Sequence, residues 1–193
     1  MRYALAVSLA VACAFAPACG GSSTGPSGST GTLRMMLKDS PFTDAKALLV
    51  TFSEVNAHQS DATEGTWTKL PFAGGATSRT CDLKKLQNAQ DVLGTGPLAI
   101  GHYTQVRLVV SSAVIYFDTA SSGDACAATI TGLTGRTANV TIPSGEVKLN
   151  REFDVASTTT TTMLLDFDGD KSVRETGNGQ FMMSPVIGVV SVQ

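Results

Sequence analysis

"YTQVRLVVSSAVIYF", residues 103–117, alternates along most of its length. Val106, Leu108 and Val110 fall on one face of an extended chain, with Gln105 and Arg107 on the other. A period of two is the pattern of a strand with one buried face, and β-branched residues suit a pleated surface. The pattern recurs upstream. "TLRMMLKD" (32–39) sets Leu33, Met35 and Leu37 against Arg34 and Lys38, and "AKALLVTFSEVNAH" (45–58) sets Leu48, Val50 and Phe52 against Thr51 and Ser53.

Further strand candidates follow: "GTWTKLPF" (65–72), "ANVTIP" (138–143), "VKLNREFDV" (147–155), "TTTTMLLDFD" (159–168) and "FMMSPVIGVVSV" (181–192). In the fourth, Met163, Leu165 and Phe167 share one face and Leu164, Asp166 and Asp168 the other. Only "CDLKKLQNAQDVL" (81–93) reads as a short helical segment, with Leu83, Leu86 and Leu93 on one side. Turn signals stand at 74–75, 94–97, 121–124, 143–145 and 177–179. About eight short strands separated by turns, with no strand–helix alternation, predict an all-β antiparallel β-sandwich.

The chain has 193 residues, 42% of them hydrophobic and 16% charged, with a net charge of -2. Such a composition folds as a globule. Without a basic face it argues against a general nucleic-acid binder. The N-terminus reads as a signal peptide over residues 1–18: Arg2 is followed by a small-residue apolar run too short to span a bilayer, which takes about 20 residues. Ala16-Pro17-Ala18-Cys19 is a lipobox with Ala where Leu is usual, so Cys19 is the lipidation candidate. Cleavage after Ala16 is the competing reading and would give a secreted or periplasmic protein. Residues 19–31 form an uncharged Gly/Ser tether, and 32–193 the domain. Gly20 after the cysteine favours the outer membrane. Cys81 and Cys126, left over in an oxidising compartment, are expected to form a disulfide.

"DFDGDKSVRETGNG" (166–179) opens like a calcium loop, with Asp166, Asp168 and Asp170 at alternate positions. Lys171 stands where such a loop needs Gly, and Gly177 where it needs Glu. The three aspartates therefore remain a calcium candidate set against a polar turn whose side chains cap backbone N–H groups. No nucleophile elbow, P-loop or dinucleotide fingerprint is present, and His58 and His102 stand in no nucleophile pattern. Trp67, Phe72, Tyr103 and Tyr116 are candidates for a sugar-stacking platform, weighed against places in the core. Arg107 belongs to the polar face as a solvated or cross-strand-paired charge.

"GTLRMMLKDSPF", "CDLKKLQN", "LAIGHYTQVRLVV", "TIPSGEVKL" and "LLDFDGDKSVRETGNGQFMMSPVI" occur in an order that resembles the domain of unknown function 4382 family. The resemblance covers about residues 32–192. It departs at Phe181, where Tyr is expected, and in a less basic 180–183. It implies a lipoprotein with an immunoglobulin-like or transthyretin-like sandwich, and no catalytic residues. The expectation is a non-enzymatic, lipid-anchored envelope protein. Its domain binds or supports an envelope protein or glycan, and needs no cofactor. A calcium- or carbohydrate-binding module is the alternative.

Overall fold

The computed structural model describes residues 28–40, 45–60 and 66–193. The segment expected to be a signal peptide, residues 1–18, and Cys19 lie outside them. Along the chain run β1 (Thr30–Ser40), β2 (Ala47–Gln59), β3 (Trp67–Lys69), β4 (Arg79–Asp82), the single turn α1 (Leu83–Leu86), β5 (Asp91–Ala99) and β6 (Gly101–Tyr116). Then come β7 (Cys126–Ala127), β8 (Thr137–Thr141), β9 (Glu146–Val155), β10 (Thr160–Asp168), the turn α2 (Gly169–Ser172), β11 (Val173–Gly177), β12 (Gln180–Met183) and β13 (Ile187–Val192).

The stretch that alternates most clearly is the central strand of the larger sheet. β6 pairs antiparallel with β2 from Ala47↔Tyr116 to Gln59↔Tyr103. Both strands are long enough to take two neighbours in succession on their other side. β9 and then β8 lie along β6, and β4 and then β3 along β2. β7 flanks β4, and β12 with β11 extends from β8, which completes nine strands. The smaller sheet has the order β13-β10-β1-β5.

The buried faces of both sheets meet in one core. Leu33, Met35, Leu37, Met163, Leu165 and Phe167 come from the smaller sheet; Leu48, Val50, Phe52, Val106, Leu108 and Ile115 come from the larger. Burying each such side chain contributes about 1.5–3 kcal/mol. The strand faces assigned from alternation are the buried ones here. Two open sheets around one core are consistent with a β-sandwich.

Several expectations need correction. Among the described residues thirteen strands replace about eight: β4, β7 and β11 have five residues or fewer, too short to show a period, β5 carries glycines and a proline that read as a turn, and the last candidate divides into β12 and β13. The sheets are mixed rather than antiparallel: β1 runs parallel to β10, and β8 to β12. A parallel pair needs a long crossover, and the chain between β1 and β10 supplies it. The helical segment shrinks to one turn, capped by Asp82, whose side chain accepts from the Lys84 N–H. "FMMSPVIGVVSV" is two strands in different sheets, broken at Ser184-Pro185-Val186.

Residues 94–97 belong to β5 rather than to a turn. Gly94 and Gly96 are there because Pro71 packs against this edge. A Cβ on Gly96 would lie 2.5 Å from Pro71 Cδ. The turn at 177–179 does form, with Asn178 and Gly179 at φ 53 and 72°, the left-handed region that these residue types tolerate.

Candidate functional site

The acidic stretch lies where β10 ends and α2 begins. Asp166, on the outer face of β10, pairs with Lys38 of β1 at 3.1 Å. Asp168 caps α2: one carboxylate oxygen accepts from the Lys171 N–H at 3.0 Å, the other from Lys171 Nζ at 2.7 Å. These bonds, the Lys171 side chain's first, hold the Asp168 carboxyl below the usual range, and Asp168 in turn raises the Lys171 ammonium. Asp170 is exposed. Among the described residues, no group of three or more His, Cys, Asp or Glu is placed to hold a metal ion. Lys171, which displaces the glycine of a calcium loop, has become the partner of the aspartate. The capping role expected for these side chains is the one Asp168 plays.

A fourth aspartate was not singled out from the sequence. Asp39 continues the phase Leu33-Met35-Leu37 and so points to the buried side of β1; that phase was the signal that could have found it. It is 5% exposed. One oxygen accepts from the Gly169 N–H at 3.0 Å, and the other is buried without a partner. Burial pushes its carboxyl up to about 7; the neighbouring Asp166 and Asp168 add repulsion, while the Gly169 bond and Lys84 oppose it.

Cys81 and Cys126 face one another across β4 and β7 and are bonded, with S–S 2.09 Å. Beside them Asp91 accepts from the Cys126 N–H at 2.8 Å and pairs with Arg79 at 3.3 Å.

The four candidate aromatics separate cleanly. Tyr103 and Phe72 are core residues, 0% and 3% exposed, and Tyr103 stacks on Phe153 with centroids 5.2 Å apart. Tyr116 is half-buried. Trp67 is partly exposed on the outer face of the larger sheet, where two other candidates join it. The Arg107 guanidinium lies 4.5 Å from the Trp67 ring centroid, and the His58 ring 5.0 Å away. Strand register explains the meeting. His58 stands opposite Trp67 on one side and Gln105 on the other, and Arg107 follows two residues along β6.

Arg107 also reaches Glu146 of β9 at 3.7 Å, and the other Glu146 oxygen takes Lys148 Nζ at 3.0 Å. The Arg107 Nε is buried without a hydrogen-bond partner. Asn56, 4% exposed, lies in the same layer and donates to Glu54, which also holds Lys69. Those bonds, Asn56's first, lower the Glu54 carboxyl. Glu146 and Lys148 in turn line a cavity of about 310 Å³ with Pro143, Ser144, Ser184 and Pro185. A row of an indole, a guanidinium, a carboxylate and an ammonium thus leads into a small cleft. The sequence placed Arg107 on the polar face, but the chain turns that bring β3 and β9 alongside it were not visible in any periodicity.

His58 bonds Thr104 Oγ1 at 3.1 Å through Nδ1, and His102, at the start of β6, pairs with Asp154 at 2.8 Å.

Among curated proteins and among solved structures, none matches this chain. A family model does: that of the domain of unknown function DUF4382, over residues 30–185. The match begins where β1 begins and ends just before β13, so it takes in the larger sheet, three of the four strands of the smaller one, the disulfide and the Trp67–Arg107–Glu146 row, and the chain belongs to the DUF4382 family.

Proposed function

We propose that this is a lipid-anchored protein of the bacterial envelope, held in the outer membrane through Cys19, whose domain is a non-enzymatic binding module. In this reading the domain is a sandwich of the immunoglobulin-like or transthyretin-like kind, modified by its two parallel pairings. The observation that carries the binding role is Trp67. A large ring kept at the surface, with Arg107 over it and Glu146 and Lys148 beyond, is the combination of apolar area and fixed polar groups found in ligand sites.

Trp67 is the only tryptophan, so its emission reports from this face alone. Titrating the protein with purified envelope polymers, peptidoglycan fragments and lipopolysaccharide among them, should give a saturable change in emission. A flat response to every envelope polymer sinks the binding reading. The anchor has its own test: Cys19→Ala should move the protein from the membrane fraction to the soluble one.

A further inference from the structure

We infer that the row Trp67–Arg107–Glu146–Lys148 and the cleft beside it bind a neutral, polyhydroxylated glycan; this rests on reading the domain as a binding module. Three features point to that chemistry. The polar groups alternate in character: Arg107 and Lys148 donate, Glu146 between them accepts, and the Ser144 and Ser184 hydroxyls do both. Vicinal sugar hydroxyls, each donor and acceptor at once, satisfy such a set. The apolar surfaces are ring-shaped, with Trp67 at one end and Pro143 and Pro185 at the other, and a pyranose presents a C–H face to surfaces of that kind. Lastly, both cations already share a carboxylate. Glu146 sits between the two cations, so a polyanion reaching Arg107 and Lys148 meets a carboxylate at its centre, while a neutral ligand meets no like charge.

Size agrees with a short glycan. The cleft of about 310 Å³ is at the small end of ligand sites, which run from about 300 to 1,000 Å³. The row continues from it across β9 and β6 to Trp67 on β3, so one ring in the cleft leaves its neighbours on an open sheet face. Hydroxyl-reading sites of this design discriminate strongly against analogues that lack the hydroxyl, because their polar groups are then left unpaired.

The test uses three trisaccharides, built from glucose, N-acetylglucosamine and galacturonic acid, followed by Trp67 emission and by calorimetry. At least one neutral sugar should bind saturably, and the uronate about tenfold more weakly. Glu146→Gln, at an exposed position, should weaken the neutral sugar by about tenfold and spare the uronate. Trp67→Phe keeps a ring, and Trp67→Ala removes it and should lose the most affinity by calorimetry; if Trp67→Ala does not fold, Trp67→Phe and Glu146→Gln still decide. Tighter binding of the uronate than of both neutral sugars overturns the inference, as does neutral binding unchanged in Glu146→Gln and in the Trp67 variants. If envelope polymers shift Trp67 emission but no saccharide does, the ligand class is wrong and the binding role stands. If nothing shifts it, both fall.

Discussion

Asp39 and Asp82 are both aspartates taken into the core, at 5% and 0% exposed, and they do opposite things. Asp82 has all its bonds. One oxygen accepts from the Leu48 N–H at 3.2 Å and the Lys84 N–H at 3.1 Å, and the other from the Ser121 hydroxyl at 2.5 Å. It ties β2, α1 and the loop before β7 to a single group. Asp39 has one bond, from Gly169, and a second oxygen with nothing to accept from. Burial of a carboxylate is tolerable when donors replace water and costly when they do not. The first aspartate holds the structure together; the second makes its stability depend on pH.

Removing Asp82 gives the largest expected effect. Asp82→Ala leaves the buried Leu48 N–H, the part-buried Lys84 N–H and the Ser121 hydroxyl without an acceptor and should cost about 3–5 kcal/mol in urea denaturation. That is a large share of a domain's usual stability of about 5–15 kcal/mol. A loss under about 1 kcal/mol would erase the contrast with Asp39. Next comes the neighbouring disulfide. Replacing Cys81 and Cys126 by Ala should cost about 2–4 kcal/mol, since the bond closes a loop of 45 residues. Mass spectrometry with and without reductant checks that the bond forms.

Asp39 should act with the opposite sign. Its folded-state carboxyl, at about 7, lies above its ordinary value of 3.8, so between those pH values the folded chain keeps a proton that the unfolded chain releases. Stability therefore falls as pH rises from about 4 to about 7 and levels off above. Asp39→Asn removes the charge and keeps an acceptor for Gly169. It should raise stability at pH 8 by about 2 kcal/mol, leave pH 4 nearly unchanged and flatten the slope between. An unaltered slope would show that Asp39 does not titrate here.

The smallest effect is expected at Asp168, which is a cap at the surface. Asp168→Ala should cost about 1 kcal/mol. Because Asp166 and Asp168 already hold Lys38 and Lys171, the melting temperature should be the same in millimolar calcium and in chelator. A rise in calcium would return the stretch to the metal sites, since a ligand that binds only the folded state stabilises it.

Much of the scaffold is legible in the sequence because its long strands each bury one face. The phases of β1, β2, β6 and β10 place the core correctly, down to Met163, Leu165 and Phe167. What sequence phase cannot carry is which strands become neighbours. The parallel pairing of β1 with β10 is a relation between distant segments, and β5 hides behind Gly94, Gly96 and Pro97, residues that announce a turn. The candidate site is legible by halves. Trp67, His58 and Arg107 each stand out as residues, but Glu146 and Lys148 look like ordinary surface charges until β9 lies beside β6. Asp39 was readable in principle, since a carboxylate in phase with Leu33, Met35 and Leu37 must be buried if the phase is right.

The parallel pair has a consequence for how the molecule is made. β1 is the first strand among the described residues, yet it lies inside its sheet between β10 and β5, and the Gly169 bond to Asp39 spans 130 positions. A chain delivered N-terminus first therefore carries β1 with one edge unclosed until β10 has also arrived. Contacts so distant in sequence make folding slow, in the range of milliseconds to seconds for β-rich domains. A chain cut short before β10 would not be a smaller version of this domain. It would lack the strand that closes its first one, and an open apolar edge of that kind is what chaperones hold and aggregation captures.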